Sequence, residues 1–323
     1  MNKIKNEQIV EGRLYDFNLS KKTVKNEKSP NYGKEFINGS ISIATNEDGT
    51  NVLTIHYTFE PPVNSKTGST NSKFTALSRI MESGKIWTKD GKDEATKLRV
   101  VASAALNDFY PNGGDELVSQ QRIEGGFINF VNELHPEGIN RQKFTFDTVI
   151  TGADFIQADP ERGTDNHVNL KCAIFDFRKS IMPYTLVAKS QEAMDYFIKL
   201  QYPVYTQVWG ENVSTTETRE KKTESAFGGT IVDYVPINRR ELVVTGAKPV
   251  PYVYDPTNTL TGEEVITKAE LEKAIADRNV YLEAEKTRTK EYYANRNAAA
   301  PVDTGFNPSS ASPVPQGDFN FFG

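Results

Sequence analysis

The 323-residue chain contains one cysteine, Cys172, which excludes an internal disulfide and a metal site built from several cysteines. This residue lies in the apolar run NLKCAIFDF, where a small side chain buried in a strand is the ordinary interpretation. Long hydrophobic runs are also missing, because no apolar stretch approaches the roughly 18–20 residues that cross a bilayer. The opening MNKIKNEQIVEG lacks the apolar segment of a signal peptide. We therefore expect a reduced, cytoplasmic protein that does not bind membranes.

Sequence motifs of catalysis are missing as well. The chain has no Gly-rich loop ending in Lys-Ser/Thr, no dinucleotide fingerprint and no G-x-S-x-G elbow. Its histidines are scattered, and His56 in TIHYTF is interpreted as an ordinary strand residue. The segment ADPERGTDNH holds three acids and a histidine, but its spacing matches neither a calcium loop nor a zinc site. We expect no enzymatic activity, no bound metal and no cofactor.

The chain also lacks a positive net charge. The chain has 38 Lys and Arg against 43 Asp and Glu, which gives a net charge of −5. An acidic total does not exclude a nucleic-acid ligand, because local patches count more than totals. The hydrophobic fraction of 37% is close to that of globular proteins, and the length suits about two domains.

Most of the chain has the period-two pattern of strands. IVEGRLYDFNL alternates, and FINGSISIATNEDGTNVLTIHYTF reads as two strands joined by a hairpin turn at Asp48-Gly49. SKFTALSRIMESG has helical spacing and ends at Gly84. TKLRVVASAALNDFY and RIEGGFINFVNE predict two further strands.

The same order of elements then repeats. FTFDTVITGADFI is a strand, and HVNLKCAIFDF with SIMPYTLVA is a hairpin that turns at Arg178-Lys179. The helix SQEAMDYFIKL begins after Ser190 as N-cap, and PVYTQVWGENV and GGTIVDYVPINRRELVVTGAKPV close the unit as strands. Three strands, a helix and two strands are the order of the OB-fold, a small Greek-key barrel. Finding this order twice in tandem predicts two barrels.

We therefore predict a mainly β protein with two tandem OB-fold-like barrels, each of five strands and one helix, followed by a C-terminal helix and a disordered tail. The predicted domains are the first barrel at 1–135, the second barrel at 136–255, a charged helical extension at 256–297 and a tail with an aromatic tip at 298–323. The extension has a thin apolar stripe that includes Leu271 and Ala274, and Thr267 with Glu270 forms a capping box. This pattern favours a solvated helix that lies on the second barrel or pairs with a neighbour, which leaves a homo-oligomer open.

The strongest basic cluster lies between the first two strands. SKKTVKNEKSPNYGKE is rich in lysine, with one acid among residues 20–34 and an interleaved tyrosine. OB barrels bind oligonucleotides across their second and third strands, flanked by this loop and the loop between strands four and five. Lysines attract phosphates and an aromatic ring stacks on a base. The candidate DNA-binding residues here are Lys21, Lys22, Lys25, Lys28, Tyr32 and Lys34.

Other segments supply weaker DNA-binding candidates. Phe109 and Tyr110 lie in the loop between strands four and five, where a ring stacks on a base or covers the barrel end. Trp87 follows the first helix and contacts DNA or plugs the barrel bottom. The remaining candidates are Lys89, Arg99, Arg178, Lys179, Arg239 and Arg240. In the second barrel the matching loop NVSTTETREKKTE is less basic, so this barrel either binds nucleic acid more weakly or is mainly structural.

Basic, aromatic OB barrels followed by a tail with an aromatic, acidic tip resemble single-stranded DNA-binding proteins, especially of the bacteriophage type. The matching tip residues are Asp318, Phe319, Phe321 and Phe322. The resemblance implies binding and protection of single-stranded DNA with little sequence preference during replication, recombination or repair. It also implies that the tip docks on replication or recombination proteins in the cytoplasm of a bacterial host. This tip has few acids and ends on Gly323, so hydrophobic contact would supply most of its affinity.

Two other interpretations remain open. A phage structural or assembly protein would use OB-like barrels as protein-interaction modules, with the tail as a linker between subunits. An accessory of a nuclease or recombinase would bind protein rather than DNA. Salt-dependent binding to single-stranded but not duplex DNA separates the first interpretation from both.

Overall fold

Strand pairing in a computed structural model of the protein closes two barrels. The structure describes residues 4–64, 67–159, 163–176, 178–224, 227–249, 252–253 and 266–298. The first barrel contains β1 (Asn6–Thr23), β2 (Glu35–Ala44), β3 (Val52–Glu60), α1 (Ser72–Ser83), α2 (Trp87–Asp90), β4 (Lys97–Phe109) and β5 (Val118–Phe130). Its strands pair in the circuit β1–β2–β3–β5–β4–β1, in which only the β3–β5 pair is parallel.

The second barrel repeats this circuit. It contains β6 (Lys143–Ile156), β7 (His167–Phe175), β8 (Ile181–Ala188), α3 (Gln191–Ile198), β9 (Val204–Glu224) and β10 (Thr230–Ala247). The strands pair as β6–β7–β8–β10–β9–β6, again with a parallel pair, β8–β10, at the crossover. The short β11 (Tyr252–Val253) pairs with the start of β9, and α4 (Lys268–Ala298) is the last element described.

The predicted fold class is confirmed in these residues, and local signals account for much of it. Gly49 has a φ of 72° in the β2–β3 turn, where the Asp48 carboxylate accepts a bond of 3.0 Å from the Thr50 N–H. Ser190 caps α3 by accepting a bond of 3.2 Å from the Ala193 N–H. The predicted disordered tail lies outside the described residues, apart from Ala298.

Each barrel has its own core of alternating strand residues. In the first barrel Val10, Ile41, Ile55 and Val100 are fully buried together with Leu77 of α1. In the second barrel a second core forms the same way, and its largest buried side chains are Phe144, Phe146, Tyr184 and Phe197. Burial of such apolar surface is the main stabilising term in a fold of this type.

One continuous sheet joins the barrels. The start of β1 pairs with β6, and Asn6 bonds the backbone of Ala104 at 2.8 Å. The hydroxyl of Tyr184, on β8, donates to the carbonyls of Ala105 at 2.6 Å and Arg122 at 3.2 Å in the first barrel. The predicted domain boundaries near residues 135 and 255 stay predictions.

Helix α4 contacts both barrels. Its first turns bury Leu271 and Ala274 against Ala173 and Phe175 on the outside of the second barrel. The sequence left open a helix on the second barrel or one paired with a neighbour, and in this structure the stripe packs on the second barrel. Farther along, Arg278 pairs with Asp108 at 2.9 Å at the end of β4. The contact with the first barrel was not predicted.

Two segments differ from the sequence-based description. A four-residue segment that follows the first helix, Trp87–Asp90, forms α2, an extra helical turn in the first barrel. The predicted loop NVSTTETREKKTE lies in β9, which stays paired with β10 as far as Glu224 and Thr230. The two strands therefore form a long ribbon beyond the second barrel.

Candidate nucleic-acid interface

The outward surface of the first three strands is polar. Asn18 and Ser20 of β1 pair with Ser40 and Asn38 of β2, and directly opposed residues share a face of the sheet. The Ser20 hydroxyl donates to the Asn38 side chain at 3.0 Å. We call the outward surface the β1–β3 face; it consists of Asp16, Asn18, Ser20, Lys22, Phe36, Asn38, Ser40, Ser42, Thr54, His56 and Phe59. It is the surface that OB barrels use for oligonucleotides.

One end of the β1–β3 face combines a cation with aromatic rings. Lys22 is exposed and lies directly opposite Phe36 in the β1–β2 register. The ring of Phe36 lies 4.7 Å from that of Phe59, centroid to centroid, and both side chains are half-buried. An ammonium group beside a partly accessible ring can contact a phosphate and a stacked base at the same time.

The lysine-rich loop continues from this end of the face. Its two strands stay joined by a bond of 3.0 Å from the Val24 N–H to the Lys34 carbonyl. Tyr32 at the tip is 54% exposed, and Lys25 and Lys28 are exposed beside it. The Lys34 ammonium donates to Asn31 at 3.1 Å. The loop therefore presents three lysines and one ring to solvent next to the β1–β3 face.

The two adjacent lysines of β1 point to opposite sides of the sheet. Lys21 lies 3.1 Å from the Glu35 carboxylate, and its ammonium is 5.6 Å from the ring of Phe74 in α1. Phe74 packs on the core of the barrel. Lys22 is on the β1–β3 face, so the structure separates two residues that the sequence treats alike.

An open cleft lies where the β1–β3 face meets the second barrel. Strands β3 and β5 form one wall, and β9 and β10 form the other. His56 and Arg122 project from the first barrel, and Arg240 with Ser214 projects from the second. The Ser214 N–H donates to the Asn51 side chain at 2.6 Å, which holds the ribbon beside the start of β3.

The charges in the cleft affect His56. Burial lowers the pKa of His56 below its usual value, and the positive charges of Arg122 and Arg240 lower it further. The imidazole is therefore neutral at pH 7, and the permanent positive charge of the cleft comes from the two guanidinium groups.

Trp87, Lys89 and Arg99 lie away from the cleft. The centroid of the Trp87 ring is 6.1 Å from that of the Tyr15 ring, and the Lys92 ammonium lies 5.8 Å from the Trp87 centroid. Lys89 is exposed on α2. Arg99 pairs with the carboxylate of Glu11, which is 1% exposed. Burial raises the pKa of Glu11, but hydrogen bonds from the His135 backbone and from Arg99 outweigh it, and the net pKa is lowered.

The loop between β4 and β5 is packed against α4. Phe109 is 37% exposed, whereas Tyr110 is only 6% exposed. Lys286 and Lys290 of α4 lie 2.9 Å and 2.6 Å from the carboxylate of Asp115 in this loop. Tyr110 is thus nearly buried, and its ring faces are not accessible in this structure.

Of the four candidates in the second barrel, only Arg240 lines the cleft. The Arg178 N–H donates to Asp176 at 2.8 Å in the β7–β8 turn. Lys179 pairs with Glu270 at the start of α4, and the Arg239 guanidinium bonds the Gly163 carbonyl. The part of the second barrel that matches the β1–β3 face is partly covered, because α4 packs on Ala173, Phe175 and Ile181.

Sequence reasoning missed Arg122, Phe36 and Phe59, and it interpreted His56 as an ordinary strand residue. Phe36 directly follows the lysine-rich loop, and this proximity was a usable signal. Arg122 and His56 gave none, because the cleft exists only where the two barrels meet. The tip residues Asp318, Phe319, Phe321 and Phe322 lie outside the described residues.

Across the described part of the chain, no three His, Cys, Asp or Glu side chains cluster as metal ligands. None of the helices in that part has the length and hydropathy of a transmembrane segment.

Comparisons with known proteins give one family and a set of solved structures. The family model described as YorF matches residues 5–288. A comparison with curated proteins finds no match. The wild-type single-stranded DNA binding protein from Thermus aquaticus is 10% identical with a TM-score of 0.45, covering 81% of this chain and 98% of that chain. A deletion mutant of the same protein is 12% identical with a TM-score of 0.44, covering 82% and 100%.

Proposed function

The chain belongs to the YorF family, and we propose that it binds single-stranded DNA along the β1–β3 face and into the cleft between its barrels. The observation that carries this proposal is the continuity of the surface. Lys22 and Phe36 lie at one end, hydroxyl and amide groups cover the middle, and Arg122 and Arg240 lie in the cleft.

Binding of this kind has little sequence preference. Lys22, Lys25 and Lys28 neutralise phosphates, which every nucleotide carries. Phe36 and Tyr32 offer ring faces, and every base has a face that stacks. A duplex hides its base faces, so a single strand is the preferred ligand. The mechanism is passive protection of the strand, without a catalytic step.

The test is a fluorescence anisotropy titration of the full chain with labelled oligo(dT) and with a duplex of equal length, at several salt concentrations. We expect binding to the single strand that weakens with salt and clearly weaker binding to the duplex. Equal affinity for the two, or no salt-dependent binding of oligo(dT), would contradict the proposal.

The diverging lysines provide a matched pair of variants. We expect Lys22→Gln to lower the magnitude of the salt slope by about 0.7, the value for one lost phosphate contact on a single strand. Lys21→Gln removes the same charge one residue away, on the side of Glu35 and Phe74, and should change the slope less. Equal effects would place the strand elsewhere on the barrel.

We further propose that the protein serves replication, recombination or repair of a bacteriophage genome in the cytoplasm of its bacterial host. The C-terminal tip, with Asp318, Phe319, Phe321 and Phe322, is proposed to recruit a partner protein through its aromatic side chains. Removing the last six residues should abolish capture of that partner in affinity purification with mass spectrometry. A truncated chain that captures the same proteins and binds DNA equally well would mean that the tip has no such role.

A further inference from the structure

Three nitrogen-bearing side chains from different strands converge in the cleft. His56 comes from β3, Arg122 from β5 and Arg240 from β10, so both barrels contribute. Arg122 donates to Gln120 at 3.2 Å, which orients its guanidinium. Within the described residues, the Arg240 side chain forms no hydrogen bond or ion pair and is exposed to the cleft.

Two acidic groups lie near these cations, and one of them already has a partner. Glu241 of β10 lines the same cleft, but its carboxylate pairs with the Lys189 ammonium. Glu124 of β5 stands beside His56 in the β3–β5 register. The Tyr184 hydroxyl of β8 is occupied by the carbonyls of Ala105 and Arg122. The two guanidinium groups therefore share the cleft with two carboxylates. Glu241 is paired with Lys189, and Glu124 lies beside His56.

We propose that His56, Arg122 and Arg240 form a clamp for one phosphodiester of the bound strand at the junction of the barrels, and that His56 takes up a proton when the phosphate enters. This inference rests on the proposed function, since the phosphate belongs to the same single strand. It adds a defined anchoring point and a proton-linked step to that function.

The electrostatics of the cleft explain the proton. In the free protein partial burial, and then the two positive charges, disfavour a charge on the imidazole, which lowers the pKa of His56. A phosphodiester brings a negative charge between the same groups and reverses the balance. The imidazolium then donates a charge-assisted hydrogen bond to the phosphate, as the guanidinium groups do.

Isothermal titration calorimetry with the full chain and oligo(dT) tests the clamp. The oligonucleotide carries hydroxyl groups at both ends, because a terminal phosphate monoester titrates near pH 6 itself. Heats measured in buffers with different ionisation enthalpies give the number of protons taken up. We expect uptake of up to about one proton per chain at about pH 6 and none at about pH 8, on either side of the usual histidine pKa.

Variants assign the effect to the clamp. His56→Gln should abolish proton uptake while the oligonucleotide still binds. Arg240→Gln should lower the magnitude of the salt slope by about 0.7. Arg288→Gln removes the same charge from the exposed surface of α4, where Arg288 pairs with Glu285, and should leave both quantities unchanged. Circular dichroism melting curves confirm that the variants are folded.

The outcomes separate the clamp from the proposed function. Binding of oligo(dT) without proton uptake at either pH, or uptake that persists in His56→Gln, would overturn the clamp and leave the proposed function standing. An Arg240→Gln slope equal to that of the wild type would also overturn it. Absence of any binding heat with oligo(dT), together with no anisotropy change, would overturn the proposed function itself.

Discussion

At the scale of single residues, Tyr32 offers the most direct test of base stacking. Its ring is 54% exposed at the tip of the lysine-rich loop, so its removal costs little in folding. We expect Tyr32→Ala to weaken oligo(dT) binding by about 1–3 kcal/mol, the contribution of one stacked base, and Tyr32→Phe to bind as the wild type does. Anisotropy titrations measure both variants. Tyr292→Ala, which removes a ring that is 61% exposed on α4, is the matched control.

Glu47 in the β2–β3 turn carries a pH dependence of stability. It accepts a bond of 2.8 Å from Arg141 and lies 3.0 Å from Lys92 and 3.6 Å from Arg13. The hydrogen bond from Arg141 and then that from Lys92 lower the pKa of Glu47 from 4.5 to about 2. Because the folded pKa is depressed, the stabilisation is complete above the unfolded value and is lost as pH falls from about 4.5 towards 2.

Urea unfolding curves at pH 7 and at lower pH test this dependence. We expect Glu47→Gln to lower the free energy of unfolding at pH 7 by at most about 1 kcal/mol, because the carboxylate is 39% exposed and solvent screens it. The variant should lose less stability than the wild type between about pH 4.5 and pH 3. Glu272→Gln, at an exposed position on α4, is the control. If the free energy of unfolding fell equally with pH in the wild type and in Glu47→Gln, the pH dependence would not come from Glu47.

Residue-level chemistry could be predicted only where it is local. The lysines and Tyr32 of the loop were found from composition, because one segment of chain carries them all. Lys21 and Lys22 could not be ranked, since the face that each occupies depends on the register of β1. Arg122 and Arg240 lie more than a hundred residues apart, and only the packing of two barrels brings them together.

At the scale of secondary structure, α4 makes contacts that its sequence did not predict. The sequence predicted its apolar stripe, and the structure shows that it also reaches the first barrel, where Arg278 pairs with the end of β4 and Lys286 and Lys290 pair with the loop between β4 and β5. A stripe of apolar residues can be read from a helix, whereas surface ion pairs to a distant loop cannot. The second half of β9 was interpreted as a loop because its polar, Thr-rich sequence lacks the alternation that marks a buried strand, whereas its partner β10 was predicted as a strand.

The docking of α4 can be measured through Leu271. This residue is 4% exposed and packs on the second barrel, so Leu271→Ala should lower the free energy of unfolding by about 2–5 kcal/mol. Chemical denaturation measures the change. Leu282→Ala, a half-buried leucine on the same helix, should cost less. Equal losses would mean that helix propensity, and not contact with the barrel, sets the stability of α4.

At the scale of the whole molecule, the two barrels are joined at several points. Pairing of β1 with β6 makes one sheet, the Tyr184 hydroxyl bonds two carbonyls of the first barrel, and Arg278 of α4 pairs with Asp108 at the end of β4. The Arg278 and Asp108 side chains are 14% and 6% exposed, so water screens their attraction little. These contacts hold the two walls of the cleft in a fixed relation.

The protein should therefore unfold in one step, although each barrel has its own core. Its two tryptophans report on one barrel each, Trp87 on the first and Trp209, in β9, on the second. In the single-tryptophan variants Trp87→Phe and Trp209→Phe, we expect fluorescence and circular dichroism transitions in urea to coincide. Tyr184→Phe removes one hydroxyl proton that two carbonyls of the first barrel share, at about 1 kcal/mol. It should lower the midpoint seen by both tryptophans together, because the barrels are coupled. If the two midpoints separate in the wild-type background, the barrels unfold independently, and the cleft between them would not be a rigid binding site.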